Sequence, residues 1–219
     1  MNADWTPLRE TLSTCRRDGI ALPIWWRDDD AVSATPALDR LSSLSTDLGL
    51  PVHLAIIPAH LDETLVDFIA TAPLIPVVHG WAHTDHSAGI GKKNEFLTPR
   101  NDASNETAEA LKRMRDHFGP ALLPMFVPPW NRINPQVVQA LPSQGYCMLS
   151  TYGARTSPEA TPGLAQINTH MDPIWWKGTR DLVDPAQLIA QACQHLEARR
   201  SGNEDTREPF GLLTHHLVH

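Results

Sequence analysis

"PIWWRDDDA", residues 23–31, sets the fold reading of this chain, because an apolar run passes through one arginine into three adjacent aspartates. Residues 22–27 (LPIWWR) read as a β-strand, which leaves Asp28, Asp29 and Asp30 just beyond its C-terminal end. A turn capping the next helix would explain one of these carboxylates, since Asp is a favoured N-cap and Ser33 and Thr35 are further candidates. Three cannot all cap. Clustered carboxylates beside tryptophans raise one another's pKa unless a cation sits among them, and either outcome suits a general base or a metal ligand. Arg27 is one candidate cation, and a bound metal would be a stronger one.

Working outward, further short apolar runs read as strands at 51–57, 75–79, 124–127, 146–150, 164–167 and 210–215. Segments with helical character separate them, at 5–17, 36–48, 61–71, 104–118, 134–141 and 185–199. The helix at 104–118 is the clearest, with Ser104 as its expected cap and Gly119-Pro120 as its stop. This alternation is the signature of βα units around a parallel sheet or barrel, here with about seven strands in a single domain, 1–219. Residues 80–103 have no clear periodicity and are long for a connection, as functional loops often are; 151–163 read as surface loop.

On that frame the polar residues gather at one end. Asp28–Asp30 follow the first strand, His79 and His83 end and follow the third, and Pro128, Pro129, Trp130 and Asn131 follow the fourth. Asp172 and Trp176 follow the sixth, and His215 and His216 end the last. Parallel strands of a barrel point their C-terminal ends to one face, where such folds build active sites.

"HGWAH", residues 79–83, has the spacing of a helical zinc-protease pair, but Gly80 stands where that motif needs its glutamate. At a strand end the two imidazoles can still converge on one ion, and an aspartate from another strand completes a two-histidine, one-carboxylate set. Strand alternation puts His215 and His216 on opposite sides, so one of them enters the mouth.

The net charge of −7 argues against nucleic acid or an anionic membrane as partner and leaves a small molecule or glycan as substrate. The polar start of the chain and the lack of a long apolar run lead us to expect a cytoplasmic protein. Cys15, Cys147 and Cys193, widely spaced and odd in number, are expected to be buried free thiols.

Together these residues resemble the polysaccharide deacetylase superfamily (NodB homology, carbohydrate esterase family 4), whose members carry five short motifs at the strand ends of a deformed (β/α) barrel. "RDDD" matches the acidic first motif, "HGWAH" the second, and "FVPPWN" the third, with Val127 where an arginine usually stands. "DPIWW" and "LTH" match the fourth and fifth more weakly, and the set spans roughly 22–216. The resemblance implies a metal-dependent hydrolase that removes an acyl group from an N-acylated sugar or related amide. It implies a divalent metal, zinc before iron, cobalt, nickel or manganese, held by Asp30, His79 and His83. Asp29 would be the general base, with Asp28 and Asp29 as the alternative base and ligand pair, and His215, or else His216, the general acid. Trp130, Trp176, Asp172 and Arg27 would line or order the substrate site, with Arg27 or Arg132 replacing the absent arginine. Two rivals use the same residues: a non-haem iron oxygenase, disfavoured by the βα alternation, and a non-catalytic carbohydrate-binding member of the fold.

Overall fold

The computed structural model describes residues 3–218. Among them, helices α1 (Thr6–Arg17), α2 (Pro36–Leu48), α3 (Glu63–Ile69), α4 (Ala103–Phe118), α5 (Pro135–Gln144) and α6 (Pro185–Arg200) alternate with strands. The strands are β1 (Ile24–Ala31), β2 (Val52–Ile56), β3 (Leu74–His79), β4 (Met125–Val127), β5 (Met148–Leu149), β6 (Glu159–Thr161), β7 (Leu164–Gln166) and β8 (Phe210–Thr214). They form one sheet in the order β6-β7-β5-β4-β3-β2-β1-β8, parallel except where β6 turns back on β7. β6 lies in the stretch read as loop, so the sheet has one strand more than expected. A three-residue strand has no room for periodicity, and Gly163, at φ 82, supplies the tight turn that pairs it.

The ring of strands is completed by the chain just after β7. The N–H of Thr169 donates to the Thr151 carbonyl at 3.1 Å, while the N–H of His170 reaches the Gly211 carbonyl at 2.7 Å and that of Leu213 the Met171 carbonyl at 2.8 Å. Residues 169–171 thus bridge the β5 side to β8, which matches the deformed barrel expected from the motifs.

Period-two alternation divides the apolar residues into two cores. Trp25, Ala55, Val77, Met125 and Val127 pack together inside the ring. Trp26, Leu54, Ile56, Val78 and Phe126 face outward against Leu38, Leu65, Leu111 and Leu141 of the helices. Each buried Val, Leu, Ile, Phe or Met side chain among them contributes about 1.5–3 kcal/mol of transfer free energy. By the same alternation Arg27 and Asp29 share the inner face with Trp25, and His79 shares it with Val77.

The first strand departs from its expected end. β1 runs on through all three aspartates to Ala31, so they belong to the sheet rather than to a turn after it. Capping of α2 falls to Thr35, whose Oγ1 accepts the Leu38 N–H at 3.1 Å. Two smaller expectations are also corrected. α4 begins at Ala103 with Asp102 at its N-cap position and no side-chain cap bond, so Ser104 is inside the helix. Of the cysteines Cys15 is buried, Cys193 partly so, and Cys147 exposed.

Candidate metal centre and active site

A β-bulge makes the acidic corner. Asp28 is level with Leu54 of β2 while Ala31 is level with Ile56, so β1 carries one extra residue between those pairs. Asp30 sits there with φ 75, in the left-handed region that non-glycine residues rarely occupy. Strict alternation would send Asp29 and Asp30 to opposite faces; the bulge re-aims Asp30, and both face the barrel mouth.

Asp30 Oδ1 lies 3.1 Å from His79 Nε2 and 3.3 Å from His83 Nε2. One ligand atom from each residue falls within 4.8 Å of the others. His79 ends β3, and its Nδ1 donates to the Val127 carbonyl of β4 at 3.0 Å. A carbonyl can only accept, so Nδ1 carries the hydrogen and Nε2 turns a lone pair toward Asp30. Two electron-rich atoms that close require a cation between them. Without a metal that cation is a proton: burial works to lower the His79 pKa, but the Asp29 and Asp30 carboxylates outweigh it and the net shift is upward. Burial likewise works to raise the Asp30 carboxyl, yet the hydrogen bond from His79 and the charges of His79, His83 and His215 hold it well below the usual range. His83 moves down instead, through burial first and the neighbouring His79 second. Two imidazole nitrogens and one committed carboxylate fit a divalent ion of the zinc type, with positions left for water and substrate.

Arg27 is fully buried and forks onto Asp29, Nε to Oδ1 at 2.8 Å and Nη2 to Oδ2 at 3.0 Å. Its remaining hydrogens go to Ser150 Oγ at 2.7 Å, Asn131 Oδ1 at 2.7 Å and, more weakly, the Thr151 carbonyl at 3.4 Å. Arg27 thus places a guanidinium directly against Asp29. Arg132 donates to the Lys93 carbonyl and takes no part. Ser150 escaped the sequence reading because β5 is a two-residue strand, while Asn131, placed at the strand-end face by its position after the fourth strand, turns out at φ 57 to accept from Arg27.

Asp28 is not at the mouth. On the other face of β1 the buried Asp28 accepts from Thr214 Oγ1 at 2.6 Å and from the buried His216 Nδ1 at 2.5 Å. That pairing occupies both Asp28 and His216 away from the Asp30 cluster. His215 is turned the other way, and its ring meets Trp176 edge-on at 4.7 Å. Trp176 is tied in turn by its Nε1 to Asp172 Oδ2 at 2.6 Å, while Asp172 Oδ1 accepts the Ile174 N–H at 2.9 Å. Trp130, at φ 55, lays its ring 4.2 Å from that of His83. Asp30, His83, Trp130 and Asn131 are all non-glycine residues at positive φ, and such strain collects at functional sites.

No protein-family model matches the sequence. No curated protein matches it either. Solved structures do. One assigned as a polysaccharide deacetylase, from Mycobacterium smegmatis, aligns over 90% of this chain and 78% of its own, with TM-score 0.65 and 15% identity. A peptidoglycan N-acetylglucosamine deacetylase aligns over 88% and 71%, with TM-score 0.55 and 13% identity. A CE4 family pseudoenzyme from Bacillus anthracis aligns over 89% and 54%, with TM-score 0.51 and 14% identity. The chain thus has the NodB-like polysaccharide deacetylase fold that its five motifs resemble, in a strongly diverged sequence.

Proposed function

We propose that this chain is a metal-dependent hydrolase that removes an acyl group, acetyl in the simplest case, from an N-acylated sugar or a related amide. The observation that carries the reading is the Asp30–His79–His83 cluster set beside an arginine-held Asp29 at the barrel mouth. A divalent ion held by those three side chains, zinc in our assignment, would polarise the acyl carbonyl and lower the pKa of bound water toward ~7.

The chain's own groups do the rest. Asp29 accepts the proton of the attacking water at a carboxylate oxygen, while the Arg27 fork fixes its orientation. His215 gives a proton to the departing nitrogen, which leaves badly as an amide anion; a placed acid or base of this kind is worth ~100-fold to 10,000-fold in rate. Trp176, anchored by Asp172, positions His215 and with Trp130 offers aromatic surface to a sugar ring.

The pseudoenzyme neighbour keeps a second reading in view, a carbohydrate-binding protein without turnover. The Arg27–Asp29 fork favours the enzyme, since a binding site has no use for an aligned buried base. The test is metal content of the purified protein and of its Asp30→Ala and His79→Ala variants, followed by amine release from N-acetylated sugars. We expect about one equivalent in the wild type, none in the variants, and release that tracks the metal. A full metal complement in both variants would overturn the site; metal without release from any acylated sugar would favour the binding protein.

A further inference from the structure

Outside the groups already assigned, one buried carboxylate stands apart. Glu95 is 1% exposed and lies beyond the excursion 85–94, from which it reaches back under the HGWAH turn. Its Oε1 accepts the backbone N–H of Ala82 at 2.8 Å and of Thr84 at 3.4 Å, and its Oε2 accepts that of Trp81 at 3.1 Å. Converging backbone N–H groups of this kind form an anion-binding nest, and here the anion is a side chain of the same chain.

Ala82 and Thr84 flank His83, whose φ of 55 is costly for a residue with a side chain. The charge-assisted bonds to Glu95 oppose that cost where it arises. Gly80 shows how tightly the carboxylate is seated: a Cβ there would stand 2.2 Å from Glu95 Oε2 and 2.5 Å from Pro129 Cδ. The excursion itself closes independently, through Asp85 Oδ1 accepting the N–H groups of Ser87 at 2.9 Å and Asn94 at 3.1 Å. Its tip, Ile90, is 83% exposed.

We propose that Glu95 is the positioning residue for His83, holding the left-handed turn that aims this imidazole at Asp30 and His79. The assignment rests on the reading of those three residues as a metal site. Glu95 touches neither metal nor substrate, so its removal changes metal affinity through His83 alone.

The experiment is a Co²⁺ titration of the full chain, read by visible absorption against a competing chelator. It compares wild type, Glu95→Gln, Glu95→Asp, Ile90→Ser, His83→Ala and the Glu95→Gln/His83→Ala double variant. Loss of an outer partner of a ligand typically costs ~10-fold to 100-fold in affinity, and Glu95→Gln is expected in that range, Glu95→Asp between it and wild type, and Ile90→Ser unchanged. In the His83→Ala background Glu95→Gln is expected to add no more than about twofold, the ordinary scatter of independent effects. Wild-type affinity in Glu95→Gln, or an equal loss in both backgrounds, would overturn the proposal while leaving the metal site standing. A wild type that binds no Co²⁺ would overturn the functional reading and this assignment with it. Hydrogen exchange in the wild type gives a measurement that does not depend on variants folding: the Trp81, Ala82 and Thr84 amides are expected to be protected, and exchange at open-loop rates would also overturn the proposal.

Discussion

Two buried histidines, His79 and His170, are 1% and 2% exposed and each faces a carboxylate, yet they are built for opposite work. His79 donates from Nδ1 to a carbonyl and is left with a lone pair on Nε2, 3.1 Å from Asp30. His170 accepts at Nδ1 from the Gly211 N–H at 3.0 Å, so its hydrogen lies on Nε2, between Glu208 Oε2 at 3.3 Å and Arg199 Nη2 at 3.1 Å. Glu208 is then filled by the N–H groups of Arg155 at 2.9 Å and Asn168 at 2.8 Å, and Arg199 donates to its carbonyl. One backbone contact at Nδ1 decides whether a buried histidine is a ligand or a strut. Asp30 keeps one-third of its side chain exposed at a mouth, while Glu208 is sealed.

Substitutions on the two sides break this comparison if their effects cross over. The largest effect is expected at the mouth: Asp29→Asn loses ~100-fold to 10,000-fold in amine release, with metal content retained, because Asp29 is held by Arg27 and is not a ligand. His215→Ala is expected to lose a similar factor on amides and much less on an aryl ester, whose leaving group needs no proton. Equal losses on both substrates would remove His215 as the acid. Next in size is His170→Ala, which takes away the acceptor of the Gly211 N–H, leaves Glu208 Oε2 with the Arg155 N–H, and removes a ring stacked 5.3 Å from Phe210. Urea unfolding is expected to show a loss of about 1–3 kcal/mol with metal affinity unchanged. Loss of metal in His170→Ala would show that the two regions are not separable.

The sequence carried most of this fold, and physical reasons mark where it stopped. Helices such as α2 and α4 and strands such as β2 and β3 are long enough for their periodicity to be read, and their positions follow. β6 is too short to have a period, and the bulge in β1 leaves no trace in composition, so the strand was expected to end before its aspartates. That Asp30, His79 and His83 come together was legible because they sit at or just beyond strand ends in recognisable spacing. Two of the cluster's supports were not: Ser150 and Glu95 are single polar residues that packing alone brings to partners 123 and 11 to 14 positions away. The Asp28–His216 pair was hidden for a related reason, since which aspartate faces inward depends on the strand register, and register is set by neighbouring strands.

The smallest effect concerns acid stability, and it separates the two carboxylates again. Burial works to raise the Glu208 pKa, but the hydrogen bonds from His170, Arg155 and Asn168 outweigh it and the net shift is downward. A carboxyl held below its unfolded value contributes stability that is fully present above that value, ~4.3 for glutamate, and is lost as pH falls through the folded value. Glu208→Gln cannot lose a charge on acidification, and its NH2 group must face one of the two N–H groups that the carboxylate oxygens accept. It is therefore expected to be less stable than wild type at neutral pH, with a shallower decline below pH ~4 and a midpoint that converges on wild type in acid. Asp30 is held low as well and adds its own acid limb, but that limb is tied to a site open to metal. Urea midpoints measured from neutral to acid pH, with and without added Zn²⁺, tell the limbs apart: the Glu208 contribution is the one that added metal leaves in place. Parallel curves for wild type and Glu208→Gln would mean that the sealed carboxylate is not the strut described here.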